Sequence, residues 1–237
     1  MLVHGLNLSQ EKGVTPCSFG LNVLLLHAES SARANIYIIC MMKDIPTAPE
    51  LSWVELDEKS PLLPDVKELY ELSFPEEERL PFRSLLRLHS RAAFDFMVFL
   101  HGERFVGFIC SLTLQNYCWG FYFTMVPEVR GHGLGAKALE AFLKRHAGHL
   151  VVIDIEHPFQ PSELDGTAPQ GLAPEPMRRR RNQFYQRHGF RDMGIRREYG
   201  GVTYQILAHG DGSITDEGYQ QLINAMWALI KEDGGSE

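Results

Sequence analysis

Apolar positions along the chain switch between two periods. Alternation marks "LSWVEL", Leu51 to Leu56, as a strand. Leu63, Val66, Leu69, Tyr70 and Phe74 then fall near helical spacing in "PLLPDVKELYELSF", which Pro75 breaks, and "EEERLPFRSLLRLH" predicts a second helical piece interrupted at Pro81. "AAFDFMVFLHG" and "ERFVGFICSLTLQNY" predict two strands joined by a tight turn at His101–Glu103, and "CWGFYFTMV" predicts a fourth. Leu134, Ala138, Leu139, Phe142 and Leu143 share one face of a helix over Gly133–His146. "LVVIDI" is an unbroken apolar run, as expected of a central strand buried on both faces.

The Pro-rich stretch 157–176 is long enough to act as a lid or a substrate-lining insertion. A basic helix, Met177–His188, follows, then two strands around "FRDMGIRREY" and "VTYQILAH". A closing amphipathic helix at about 215–232 carries Leu222, Ile223, Met226, Trp227 and Ile230 on one side. Helices punctuating a mixed sheet of about six to seven strands, with helices on both faces, define an α/β domain over residues 42–237. Residues 1–41 read differently, with scattered Ser, Asn and Gly. They are either an appendage or a translated upstream stretch before a natural start at Met41 or Met42.

Charge narrows the picture only slightly. Lys and Arg number 23 against 30 Asp and Glu, a net charge of −7. That disfavours a general nucleic-acid binder and is compatible with a cationic substrate such as an amine. Cys17, Cys40, Cys110 and Cys118 show neither a CxxC pair nor metal-ligand spacing, so reduced thiols and no metal are expected. No apolar run approaches a membrane span, and the N-terminus lacks a basic leader region; a cytoplasmic protein is expected.

The junction "VPEVRGHGLGAK" between the fourth strand and the following helix holds the clearest chemistry. Gly131, Gly133 and Gly135 alternate behind Arg130. A P-loop needs GxxxxGK[ST], but here the spacing is wrong and no hydroxyl follows Lys137. A dinucleotide fingerprint needs GxGxxG within a repeated βαβ unit, and neither condition is met. Arg-x-x-Gly-x-Gly does fit. Without Cβ atoms, such a backbone can curl around an anion while the helix start adds unpaired N–H groups and its positive dipole end.

With "FTMVPEVR" ahead of that turn and "FYQRHGF", Phe184 to Phe190, about fifty residues behind it, the chain resembles the GCN5-related N-acetyltransferase (GNAT) superfamily from about Leu51 to His209. In that family Q/R-x-x-G-x-G/A binds the pyrophosphate of acetyl-CoA, and an aromatic Tyr-x-x-x-Gly-Phe closes the fourth helix. The resemblance implies a GNAT fold and a fourth strand that splays near Phe123, Thr124 and Met125, with backbone groups free for the cofactor's amide arm. It also implies a pyrophosphate loop of Arg130, Gly131, His132, Gly133, Leu134, Gly135 and Ala136. Met125 is the expected oxyanion donor, and Tyr185 the general acid that protonates the leaving thiolate.

The chain departs from the family at two places. Arg178 stands where Asn is usual, with Asn182 out of register, so Arg178 or its neighbours to Arg181 are expected to reach a cofactor phosphate. The fourth strand also carries no acid. Glu156 at the end of the fifth strand is the nearest expected base, and Asp154, His157 and a water chain stay open beside it. Glu77 and Glu78 are expected either to bind a cationic acceptor or to be a solvated helix start. The expected activity is acetyl transfer from acetyl-CoA to a primary amine, with no membrane or nucleic-acid partner and homodimerisation open. Two alternatives remain: a catalytically silent acetyl-CoA-binding module, and a nucleic-acid-associated protein using Arg178–Arg181.

Overall fold

The chain divides into two units, Met1–Pro46 and Thr47–Glu237. The computed structural model describes residues 50–89, 93–169 and 172–234, all in the second unit, so the expectations for residues 1–41 lie outside the described residues.

Seven strands form one sheet in the order β1-β2-β3-β4-β5-β7-β6. They are β1 (Leu51–Glu55), β2 (Phe94–His101), β3 (Arg104–Leu114), β4 (Tyr117–Met125), β5 (Leu150–Glu156), β6 (Arg191–Tyr199) and β7 (Val202–His209). Among the described residues six helices accompany them: α1 (Leu63–Ser73), α2 (Phe82–His89), α3 (Leu134–Arg145), α4 (Pro161–Asp165), α5 (Glu175–Arg187) and α6 (Asp216–Gly234). Strand alternation sends Phe94, Phe96, Val98 and Val152 to a core shared with α1, α2 and α6. The intervening Met97, Phe99, Val151, Ile153 and Ile155 join a second core with α3 and α5.

Three differences from the sequence reading have local causes. The basic helix begins at Glu175 rather than Met177, because Pro176 occupies its first turn, where a missing N–H costs nothing. The same effect opens the short α4 at Pro161 inside the Pro-rich stretch. On α6 the buried stripe is Tyr219, Leu222 and Met226, while Trp227 sits at its margin, half exposed.

The arrangement that prepares a site lies between β4 and β5. These strands run parallel and pair at three positions, Tyr117↔Leu150, Cys118↔Val151 and Trp119↔Val152. β5 continues beside β7 as far as Glu156↔Tyr204, whereas β4 leaves β5 and follows β3 to Gly107↔Met125. A bulge at Phe121 assists the departure, since Ser111 faces Gly120 and Cys110 faces Tyr122. One inserted residue reverses the phase of β4 and turns Tyr122 towards α1. The uniformly apolar sequence "CWGFYFTM" hides this reversal; Gly120 is its only local mark.

Candidate active site

Beyond Trp119 the edge of β4 facing β5 has no partner strand, which opens a wedge in the sheet. Val126 donates to Val106 O at 2.9 Å, so the alternation of an antiparallel ladder aims Thr124 at β3 and leaves Phe123 and Met125 directed into the wedge. Of the three backbone positions expected to be free, Phe123 turns its N–H and C=O into the wedge, and Met125 keeps only its N–H free because its carbonyl accepts from Arg130. Thr124 spends its backbone on β3, and its hydroxyl meets Ser73 Oγ at 2.8 Å. Gly107 permits this closure of β3 on β4, because a Cβ there would stand 2.4 Å from Thr124 O.

Pro127 ends β4 by opening a single 3-10 turn, Pro127–Val129, with Val126 extended before it. Arg130 folds back, and its Nε donates to Met125 O at 2.9 Å. Its own N–H goes to Pro127 O, and the Ala136 N–H to Gly133 O, so neither donor is available to a ligand. Between them, the N–H groups of Gly131, His132, Gly133, Leu134 and Gly135 have no hydrogen-bond partner among the described residues. Gly133 caps α3 at φ 82°, ψ −10°, a left-handed conformation that curls the chain and costs glycine nothing. Five consecutive unpaired donors at a helix start form a concave anion cradle.

Tyr185 projects from α5 into the core that also holds Met125, Ile153 and Ile155, which line the wedge. Phe184 and Phe190 pack on its ring at centroid distances of 5.2 and 5.3 Å. Its hydroxyl has no hydrogen-bond partner among the described residues. Burial pushes its pKa up to about 12, with Arg181 pulling the other way.

The opposite face gathers acids and phenols that are remote in sequence. Tyr122 accepts from Leu80 N at 3.0 Å and donates to Glu78 O at 2.6 Å, which fastens the turn after α1 to β4. The Tyr204 hydroxyl donates to the Glu78 carboxylate. Asp154 takes a 2.6 Å bond from Trp119 Nε1, and burial lifts its pKa to about 6 against the opposing pull of Trp119 and Tyr219. The Glu77 side chain lies outside the described residues.

Glu156 stands at the end of β5, bonded to Arg181 Nη1 at 2.9 Å and accepting from Ala173 N at 3.3 Å. His157 is turned into its own loop, with Nδ1 2.7 Å from Phe159 O. Sequence reasoning did not single out Trp119, Tyr122, Tyr204 and Tyr219, because an aromatic with a polar tip reads as plain core until its partner is known.

The assignment of Arg178 to a cofactor phosphate is overturned. Its side chain is fully buried, and every guanidinium nitrogen is used within the chain, on Pro158 O, Ala173 O and both oxygens of Glu163. Asn182 instead accepts from Gln205 of β7 at 3.0 Å. Arg179 pairs with Glu175 and Arg181 with Glu156, so the run 178–181 is not a continuous cationic face. Among the described residues no group of three or more His, Cys, Asp or Glu is placed to hold a metal, and no helix is long and apolar enough to cross a membrane.

Comparison with known proteins agrees with this geometry. Residues 63–162 match the model of the Acetyltransferase (GNAT) family. A putative GNAT-family acetyltransferase from Bacteroides thetaiotaomicron superposes with a TM-score of 0.55 at 21% identity, covering 75% of this chain and 95% of its own. The ribosomal-protein-S18-alanine N-acetyltransferase from Escherichia coli gives 0.51 at 14% identity, over 70% of this chain and 97% of its own. An aminoglycoside 6'-N-acetyltransferase complexed with coenzyme A gives 0.50 at 16% identity, over 66% of this chain and 95% of its own. No curated protein sequence matches the chain. With its wedge and its glycine cradle, the chain has the fold of these acetyltransferases, and its segment from α1 into α4 matches the GNAT family model.

Proposed function

We propose that the protein is an N-acetyltransferase that moves the acetyl group of acetyl-CoA onto a primary amine by direct attack. The observation that carries this reading is the set of five unpaired N–H groups from Gly131 to Gly135 beside the unpaired Phe123 backbone and the Met125 N–H. The cradle suits a diphosphate, and the strand edge suits an amide-bearing arm that would pair as an added strand. Acetyl-CoA supplies the activated thioester.

In the reaction the amine nitrogen forms a bond to the acetyl carbon, and the carbon–sulfur bond breaks. Met125 N–H stabilises the developing oxyanion. Tyr185 gives its proton to the departing thiolate; burial keeps that phenol protonated at neutral pH, and its partnerless hydroxyl is free to act. Glu156 takes the proton the amine loses, with Asp154 as the second carboxylate of that edge. The products are an N-acetyl amine and coenzyme A. The acidic face built from Glu78, Asp154 and Glu156 favours an acceptor that arrives as a cation.

The test is thiol release from acetyl-CoA against aminoglycosides, polyamines, amino acids and peptides, run beside calorimetry with coenzyme A. Release with at least one amine class and a measurable heat of binding are expected. Binding without release from any amine would favour the catalytically silent module, and no binding would refute the reading.

A further inference from the structure

Arg178 and the chain it grips are not used by the chemistry above. A fully buried cation is stable only when its charge is paired and its donors are satisfied. Arg178 achieves both by holding one segment at three places. Its Nη1 and Nη2 reach the two Glu163 oxygens at 3.1 and 2.5 Å, its Nε and Nη2 reach Pro158 O at 3.3 and 3.0 Å, and Nη1 also bonds Ala173 O.

Gln160, 1% exposed, makes a second fastening. It donates to His157 O at 2.9 Å and Thr203 O at 2.8 Å, and accepts from Thr203 N at 2.8 Å. Ala173 N adds a bond to Glu156 at 3.3 Å. The segment is thus tied to the end of β5, the start of β7 and the start of α5. All three lie on the β5 side of the wedge, across from the β4–α3 cradle. Clamped this way, the segment that leaves the end of β5 keeps Phe159 and Leu164 exposed.

We propose that Arg178 is a positioning residue that clamps residues 158–165 into a fixed wall at the end of β5, and that this wall sets affinity for the amine acceptor without contributing to cofactor binding. The clamp is a structural claim that stands by itself; the acceptor half rests on the acetyl-transfer reading.

The test uses the full chain with Glu163→Gln, which keeps the shape and removes the charge from a half-exposed partner. Arg178→Lys is a second variant that keeps charge but loses the fork. Hydrogen exchange over 158–165 is read together with coenzyme A affinity and with kinetics on spermidine, kanamycin and an alanine-initiated peptide. Exchange is expected to quicken about tenfold, and KM for the accepted amine to rise about tenfold, while kcat and the coenzyme A Kd stay within about twofold.

Unchanged exchange in both variants overturns the clamp. Faster exchange with unchanged amine KM overturns the acceptor role. A parallel loss of coenzyme A affinity assigns Arg178 to the cofactor side and also overturns it. Absence of thiol release by the wild-type chain with all three amines refutes the acetyl-transfer reading and the acceptor half with it, whereas faster exchange in the variants would still uphold the clamp.

Discussion

Replacing Gly133 with alanine separates the two roles of the cradle, its own conformation and its hold on a ligand. Gly133 sits at φ 82°, and a Cβ there would meet nothing within 4 Å. The folded protein therefore bears only the left-handed strain of alanine, about 1 kcal/mol, which lowers Tm by about 2–4 °C in a domain of this size. Binding suffers more. The added methyl enters open space, and relief of the strain is expected to turn the N–H groups of residues 133 and 134 away from the anion. Losing two charge-assisted hydrogen bonds at about 1.5 kcal/mol each weakens coenzyme A binding by about 3 kcal/mol, roughly a hundredfold in Kd. Calorimetry with coenzyme A and a thermal melt on the same preparation read both quantities. An unchanged Kd refutes the diphosphate assignment. A Tm drop beyond about 10 °C refutes the claim that the glycine serves the ligand rather than the fold.

Tyr185→Phe should lower kcat about a hundredfold or more while leaving the coenzyme A Kd intact. Because burial holds the phenol near 12, wild-type activity should show no loss below about pH 10 that the variant lacks; such a loss would contradict the raised pKa, whereas an unchanged kcat in the variant would remove Tyr185 as the acid. Glu156→Gln should flatten the acid limb of the pH–rate profile, and an unaltered profile would pass the proton to Asp154, His157 or water. Asp154 makes a prediction about stability. Its folded pKa of about 6 lies above the ordinary 3.8, so the folded state binds the extra proton, and stability falls as pH rises from about 4 to 6. The loss is at most roughly 3 kcal/mol. Denaturant midpoints of Asp154→Asn should therefore gain on wild type from pH 4 to pH 7, and parallel curves would contradict the shift.

Much of this molecule is written in short-range pattern. Period-two and helical spacing, the proline at 127 and the alternating glycines after it are local signals, and local backbone sterics decide them wherever the chain goes. That is why the strands, the cradle and the aromatic end of α5 could be read directly from the residues. The wedge, the bulge at Phe121 and the partners of each polar group depend on neighbours that arrive from far along the chain. Thr124 loses its expected place because β3 claims its backbone. Arg178, an ordinary basic residue in a basic run, becomes an internal clamp once Glu163 and two carbonyls fold over it. Glu78, Asp154 and Tyr204 become one cluster only when the turn after α1 meets β5 and β7. Sequence determines which conformations and charges are available; tertiary packing decides which donors are consumed and which remain free, because a hydrogen bond depends on where both of its ends come to rest.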